Sequence, residues 1–199
     1  MPDLINSRLV RRLARLAFAS MAIAVATPAV AAACTPSSSG LSQPFTWAGD
    51  DNWYSMLNNS WFGSSYLPGW TLHNANVMAA NGQTWLRISS AGGYAITPPF
   101  CVDATTPSFR FWSRKADPNN WGQMNVAAIW TDPWGYHNTV INGQQLPQSW
   151  WISDPFMLGT MLPTEGGGSF MVQLEFEPNA AGGSAADIWG IYIDPYSRT

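Results

Sequence analysis

Positive charge is scarce in this chain, and much of it lies at one end. The 199 residues contain nine lysines and arginines against twelve aspartates and glutamates, and Lys115 is the one lysine. Residues 1–33 hold four of the basic residues and one acidic residue, so the remainder has 9 − 4 = 5 basic and 12 − 1 = 11 acidic side chains. This net charge of −6 argues against nucleic acid and anionic membranes as partners, because phosphates need clustered arginine and lysine. A neutral, hydroxyl-rich ligand fits better.

Cysteine is equally scarce, with only Cys34 and Cys101 in the chain. In an oxidising compartment such a pair usually forms a disulfide, which would tie the start of the exported chain to its middle. Closing a loop of this length stabilises a protein by about 4 kcal/mol on the chain-entropy model. Two free, buried thiols are the alternative, and neither cysteine has a neighbouring histidine that would indicate a reactive thiolate.

The first 33 residues have the pattern of a signal peptide. Four arginines precede a short apolar run at residues 16–30, and residues 29–33 are small. This order is typical of a cleaved secretory signal, and the run is too short and too interrupted for a good membrane span. We therefore predict a secreted, extracellular protein, with cell-surface association left open. An amphipathic anchor helix, twin-arginine export through Arg11-Arg12 and lipidation of Cys34 are the alternatives.

Few stretches repeat apolar residues with the 3.6-residue period of a helix. Apolar and polar residues instead alternate with the period of two that is typical of strands. In residues 108–114, alternation places Phe109 and Phe111 on an inner face, and it places three residues on the outer face: Arg110, Trp112 and Arg114. The same alternation is present in residues 83–89, 123–130 and 171–177, and residues 188–194 form a last apolar strand.

Glycine, proline and asparagine turns separate these short strands, and the chain has no internal repeat and no long linker. Many short strands with frequent turns are typical of an antiparallel sandwich or barrel. We predict an all-β fold, an antiparallel β-sandwich of jelly-roll type, as a single domain over residues 45–199. Residues 34–44 form a lead-in that Cys34 ties down, and residues 1–33 are the signal peptide.

Groups that could carry catalysis are few. Glycoside hydrolysis needs two carboxylates at a defined separation, and Glu175 and Glu177 share one face of a predicted strand. A solvated strand face is the commoner reason for such a pair, although Glu175 with Asp154 or Asp132 is conceivable. The two histidines lack the spacing of a metal site, and no serine has the spacing of a nucleophile elbow. We therefore expect no cofactor and no metal, and a binding role more than catalysis.

Tryptophan is the residue that the chain has in excess, with twelve, none before position 47. An indole ring is large and its N–H needs a partner, so some rings should reach the surface, where a flat ring suits the face of a sugar. We assign Trp47, Trp70 and Trp130 to packing, and we expect one ring of Trp150 and Trp151 in the core. The candidate ligand-binding residues are Trp85, Arg87, Arg110, Trp112, Trp121, Trp134, Tyr136, Trp150 and Glu175. Packing of the outward rings under loops is the alternative.

Four short motifs follow one another in the exported chain: Gln43-Pro44-Phe45 with Trp47, residues 67–72, residues 97–114 and residues 191–196. Their order resembles that of small secreted bacterial proteins, of actinobacterial type and without assigned function, which are similar to jelly-roll carbohydrate-binding modules. The resemblance implies a galactose-binding-like jelly roll and a Cys34–Cys101 bridge.

The same resemblance raises a structural calcium site, which we do not expect here. Related modules carry a Phe-Glu pair before the second motif and an Ile-Asp-Asp sequence in the last strand. The matching positions hold Trp61-Phe62 and Ile188-Trp189-Gly190, so the oxygen ligands that calcium requires are missing, although Asp187 lies close by. We interpret Trp61 and Trp189 as apolar replacements for the ion.

These observations favour a secreted, noncatalytic module that binds glycan by stacking on exposed tryptophan and tyrosine rings. A small extracellular glycan hydrolase or lyase that uses Glu175 is one alternative, and a cell-surface module that contacts other proteins is another. Analogy of fold alone does not decide between them. The oligomeric state is left open.

Overall fold

The computed structural model describes residues 34, 40–103, 108–132, 135–158, 169–179, 181 and 183–194. Within these ranges the chain forms two antiparallel sheets, and a short 3₁₀ turn lies at Thr46–Ala48. The signal peptide predicted at residues 1–33 lies outside the described residues.

The first sheet has seven strands in the described part of the chain. Five of them are neighbours in the order β10 (Trp151–Ile152), β7 (Ser108–Lys115), β13 (Ala186–Asp194), β4 (Gln83–Ile88) and β3 (Ala75–Ala80). Two short strands, β1 and β11, pair with β13 and β7; they are Ser55–Met56 and Phe156–Met157.

The second sheet has six strands in the same described ranges. The order is β2 (Thr71–His73), β5 (Tyr94–Ile96), β12 (Ser169–Pro178), β8 (Gln123–Asp132) and β9 (Gly135–Gln145), and β6 (Phe100–Asp103) also pairs with β12. Strands distant in sequence are neighbours in both sheets, as in a jelly roll. The predicted fold class, an antiparallel β-sandwich of jelly-roll type, is confirmed.

The main hydrophobic core lies between the two sheets, and period-two alternation explains its membership. On β7, Phe109 and Phe111 are fully buried, while Arg110 between them points away from the core. The same rule places further core residues on β4, β8 and β12: Leu86, Ile88, Met124, Val126, Ala128, Trp130, Val172, Leu174 and Phe176. The assignment of Trp130 to packing is therefore confirmed, and half-buried Trp70 also packs against this core.

A second, smaller hydrophobic cluster covers part of the outer face of the first sheet. Phe45 and Tyr54 come from the N-terminal segment, which we define as residues 42–57, and they pack on Ile152 and Tyr192. Ser42 and Tyr54 form an antiparallel bridge that closes this segment on itself. The N-terminal segment therefore removes part of an outward strand face from solvent.

Strand β13 contains a bulge at Gly190. Its register on β7 shifts between Trp189 and Ile191, and Gly190 has a φ of 56°. A glycine tolerates this left-handed conformation, and the extra residue lets Ile188 and Ile191 both reach the core. The strand predicted at residues 188–194 thus begins earlier, at Ala186, and does not alternate throughout.

Cys34 and Cys101 form a disulfide, with their Cα atoms 5.8 Å apart. The bridge confirms the pairing that the resemblance implies, and the alternative of two free thiols is wrong. In this form of the protein the sulfur of Cys34 is bonded to Cys101, so it cannot also carry a lipid thioether. No helix within the described ranges combines the length and the apolar character needed to cross a bilayer.

Candidate binding groove

Three tryptophans from adjacent strands share the outer face of the first sheet. Trp112 on β7 pairs directly with Trp189 on β13, and paired residues in antiparallel strands point to the same side. Trp85 on β4 lies on this side as well, because Leu86 and Ile88 alternate with it and point into the core.

Two further tryptophans complete a groove on this surface. Trp61 comes from the loop between β1 and β2, and Trp150 directly precedes β10. The groove has a volume of about 530 Å³, which is in the range of small-ligand sites. Its lining is mostly apolar and consists of Trp61, Gly63, Gly82, Gln83, Thr84, Trp85, Trp112, Trp150 and Trp189.

The backbone around Trp61 explains why its ring faces outward. The next residue, Phe62, has a φ of 56° and is fully buried, so the chain turns sharply between the two side chains and Trp61 remains 57% exposed. Thr84 Oγ1 donates a hydrogen bond of 3.0 Å to the carbonyl of Trp61. A Cβ at Gly63 would lie 3.1 Å from the indole nitrogen of Trp61, so glycine leaves room for this ring position.

Arg114 on β7 contacts two of the groove tryptophans. Its guanidinium carbon lies 4.6 Å from the ring centroid of Trp150 and 5.0 Å from that of Trp85. The two rings meet edge to face, with centroids 6.3 Å apart. Each cation–π contact stabilises by about 1 kcal/mol. Arg114 therefore restrains the orientation of both rings.

A buried carboxylate holds Arg114 in turn. Asp187 on β13 has no exposed side-chain surface and accepts a hydrogen bond of 2.9 Å from Arg114 Nε. Arg87 on β4 donates to the same carboxylate from Nε at 2.7 Å and from Nη2 at 2.9 Å. The hydrogen bonds to Asp187 raise the pKa of the Arg87 guanidinium above its usual value. This ionic triad of Arg87, Asp187 and Arg114 spans three adjacent strands.

The ionic triad uses the carboxylate that lies close in sequence to the expected calcium positions. In the sequence Asp187 directly precedes Ile188-Trp189-Gly190, and in the structure its two carboxylate oxygens are paired with the guanidinium groups of Arg87 and Arg114. Across the described ranges, no group of three or more acidic, histidine or cysteine side chains is placed to hold a metal ion. The prediction of no metal site is based on the sequence and stays a prediction.

Beside the groove, Trp47 and Trp151 form what we call the aromatic patch. Trp47 stacks against Trp112 with ring centroids 6.2 Å apart and planes inclined by 19°, and Trp151 meets Trp47 edge to face at 6.1 Å. The two patch rings are 57% and 60% exposed. The sequence assigns Trp47 to packing, and its ring does pack on Trp112, but it lies on the outer face of the sheet and stays more than half exposed instead of entering the core.

The expectation for the adjacent pair Trp150 and Trp151 is met for one ring only. Trp151 points to solvent, but Trp150 lies half-buried in the groove against Arg114 and not between the sheets. Strand β10 begins at Trp151, so strand alternation does not extend to Trp150.

Arg110, one of the predicted ligand-binding residues, lies outside the groove. It follows the predicted outward face of β7, but the N-terminal segment covers it and leaves it 7% exposed. Arg110 Nη1 donates to Asp50 at 2.8 Å and its Nε donates to the carbonyl of Ser153 at 2.8 Å, while its guanidinium lies over the ring of Phe45. Nε and Nη1 of Arg110 therefore already have partners within the protein.

Asp50 is the acidic partner of Arg110. Tyr54 also donates a hydrogen bond of 2.7 Å to this carboxylate. Burial acts to raise the pKa of Asp50, but hydrogen bonds from Tyr54, from the Asn52 backbone and from Arg110 outweigh it, so the pKa lies below its ordinary value. The pair helps to hold the N-terminal segment on the sheet.

Of the remaining predicted residues, Trp121 and Glu175 are separate from the groove. Trp121 is 49% exposed in the loop between β7 and β8. Trp134 lies outside the described residues, as does the side chain of Tyr136 on β9. Glu175 lies on β12 of the second sheet, where its neighbours Leu174 and Phe176 point into the core, so the thickness of the sandwich separates it from the groove.

The structure thus brings together Trp85, Trp112 and Trp150, with Arg87 linked to them through the ionic triad. The sequence alone does not predict the groove positions of Trp61 and Trp189, for which it favours a role as apolar replacements for the calcium ion. The pairing of Trp189 with Trp112 depends on strand order, and the exposure of Trp61 depends on the φ of Phe62. No local sequence pattern predicts the strand order or the φ of Phe62. The only local indication is Gly190, which follows Trp189 and can take the positive φ of a bulge.

No family model matches the chain, and no curated protein matches it. Solved structures share the fold: the tandem CBM22-1–CBM22-2 domain of Paenibacillus barcinonensis Xyn10C is 15% identical, with a TM-score of 0.50 over 73% of this chain and 47% of that one. The CBM22-1 xylan-binding domain of that protein is 14% identical, with a TM-score of 0.48 over 69% and 92%. An adhesin domain of Lys-gingipain from Porphyromonas gingivalis is 11% identical, with a TM-score of 0.48 over 68% and 96%. At these identities the likeness concerns the fold alone.

Proposed function

We propose that this protein is a noncatalytic module that binds a glycan in the tryptophan groove. The observation that carries the proposal is the lining of one groove by five tryptophans. The C–H groups on the face of a sugar ring pack on indole, while hydroxyls at the ring edge need hydrogen-bonding partners. The Gln83 side chain supplies an amide in the lining. The shared fold is compatible with this role, and the groove supports it.

Binding without chemistry is the simplest use of this lining. Among the described residues that line the groove, none is acidic, basic or histidine. General acid–base catalysis needs such a group within hydrogen-bond reach of the reacting atoms. The proposal therefore includes no catalytic residue and no cofactor.

The proposal places the protein outside the cell. The disulfide suits an oxidising compartment, and the pattern at residues 1–33 suits export. A neutral glycan as partner agrees with the scarcity of basic side chains, which disfavours nucleic acid and anionic membranes.

Retention on immobilised xylan, β-1,4-galactan, laminarin and cellulose tests the proposal. We expect the wild type to be retained on at least one of them, with Trp150→Ala and Trp61→Ala each weakening binding about tenfold, because a stacked ring contributes about 1.5 kcal/mol. Trp121→Ala is the matched control, since it removes an exposed ring outside the groove, and it should bind as the wild type does.

Two results would contradict the proposal. One is undiminished retention of both groove variants. The other is no retention of the wild type on any of the four polysaccharides, and concentration-dependent self-association in light scattering would then favour a protein-interaction module.

A further inference from the structure

Trp112 belongs to both the groove and the aromatic patch. It lines the groove together with Trp189, whose ring centroid lies 6.5 Å away, and it stacks against Trp47 at 6.2 Å. Trp151 follows Trp47 at 6.1 Å. Each of these distances is within the range of direct ring contact. The aromatic surface therefore continues out of the groove without a break.

The patch is held in place by the protein and does not consist of loose side chains. Trp47 Nε1 donates a hydrogen bond of 3.1 Å to the carbonyl of Pro44. The next residues along the N-terminal segment are anchored as well, since Phe45 is buried on Tyr192 and Asp50 is paired with Arg110. An exposed ring that is already ordered loses little entropy when a ligand covers it.

Leaving large aromatic rings in contact with water is unfavourable in free energy, so an exposed cluster of them indicates a surface that a ligand covers. Both patch tryptophans are more than half exposed, and contiguous exposed aromatic surface on a soluble protein usually marks a binding site. Because the patch is continuous with the groove through Trp112, one ligand can occupy both. A single sugar unit or a short oligosaccharide that fills the groove would leave Trp47 and Trp151 uncovered.

We infer that the ligand is a glycan chain longer than the groove, which runs from the groove over Trp112 onto the aromatic patch. This inference rests on the proposed function and adds the class of glycan: a polymer bound along its length, and not a terminal sugar. Trp47 and Trp151 act as additional stacking positions that only a longer chain reaches.

Calorimetric titration with oligosaccharides of increasing length tests the inference. The probes are β-1,4-xylo-, β-1,4-galacto-, laminari- and cello-oligosaccharides of two to six units, one series for each of the four polysaccharides, titrated into the full exported chain. In the series that binds, Kd should fall at least tenfold between two and six units. Trp151→Ala should abolish most of that gain and leave the six-unit chain binding about as well as the two-unit chain.

Three further variants distinguish the contribution of the groove from that of the aromatic patch. Trp150→Ala should weaken binding at every length, because it removes a groove ring, whereas Trp121→Ala should change nothing. Trp47→Phe keeps an aromatic ring against Trp112 and should retain part of the gain with length.

Each other result overturns the inference. A Kd that is independent of length, or a Trp151→Ala variant that keeps the full gain, would show that the patch does not contact the chain while leaving the groove as a glycan site. Self-association that Trp151→Ala abolishes, without any change in oligosaccharide binding, would assign the patch to a protein contact. No binding of any oligosaccharide at any length by the wild type would overturn the inference together with the proposed function.

Discussion

Arg114 joins an ionic and an aromatic network through one side chain. Its Nε bonds to Asp187, and its planar guanidinium lies near the rings of Trp85 and Trp150. Arginine can do both at once because its donors lie in the plane while its faces stay free for stacking. The orientation of two groove rings therefore depends on a residue that does not line the groove.

Replacement of Arg114 by lysine should weaken glycan binding without unfolding the protein. A lysine ammonium keeps the charge near Asp187 but cannot pack a planar face on either ring, so we expect a three- to tenfold rise in Kd, about 1 kcal/mol. The near-ultraviolet circular dichroism of the tryptophans should change in parallel. Lys115→Arg, at the neighbouring position, is the control and should leave both signals unchanged. Wild-type affinity in Arg114→Lys would show that the rings need no such support.

At the scale of elements, the bulge in β13 changes which face of the sheet the residues after Gly190 point to. Ile188 and Ile191 must reach the core, while Asp187, Trp189 and Tyr192 face outward. A strand with strict alternation cannot satisfy both, because it would send Ile191 to the same side as Trp189. Gly190 resolves the conflict, and its N–H donates a hydrogen bond of 2.8 Å to the carbonyl of Ser60, which ties the bulge to the loop that carries Trp61.

Gly190→Ala should therefore affect both stability and binding. The left-handed φ alone costs an alanine about 1–2 kcal/mol, and the new Cβ would lie 3.1 Å from the Tyr192 ring and 3.4 Å from the Trp112 ring. We expect Tm to fall by several degrees and Kd for the retained polysaccharide to rise. Gly183→Ala has a similar φ of 73° with nothing within 4 Å, so it should lower Tm less and leave Kd unchanged. Equal effects of the two variants on Tm and Kd would contradict a role for the bulge in shaping the groove.

For the whole molecule, the disulfide connects residue 34 to the second sheet, while the N-terminal segment covers part of the first sheet. Cys101 lies on β6, which pairs with β12, and Cys34 is 67 residues earlier in the chain. The groove and the ionic triad are on the outer face of the other sheet. The bridge should therefore contribute to the stability of the sandwich more than to the shape of the groove.

Removal of the bridge in the double variant Cys34→Ser, Cys101→Ser should lower the free energy of unfolding by about 4 kcal/mol, because a closed loop of this length restricts the unfolded chain. Denaturant titration measures this change, and polysaccharide affinity below the transition should stay within twofold of the wild type. Dithiothreitol should destabilise the wild type by a similar amount and should not affect the double variant. A loss of binding in the folded, reduced protein would contradict the separation of bridge and groove.

Much of the fold could be predicted from residues alone, whereas the site could be predicted only in part. Alternation identified the inward residues of β4, β7, β8 and β12, because the faces of a strand follow from local backbone geometry. The Asn81-Gly82 turn was also predictable, since both residues take the positive φ that tight hairpins favour. The outward direction that alternation predicts for Trp112 is confirmed. The sequence could not show that the N-terminal segment covers Arg110 or that Trp47 is exposed. Both depend on where this segment crosses the first sheet.

The amino-acid sequence by itself determined the all-β character, the core faces of the strands and the pair of cysteines available for a bridge. These follow from period-two alternation, turn residues and composition, which act over a few residues. The tertiary structure alone decided that β7 lies beside β13 and β10, and that Trp61 and Trp150 join the sheet tryptophans in one groove. Such neighbours are set by packing between segments far apart in the chain, where many pairings satisfy the same local pattern and only the complete sandwich selects one.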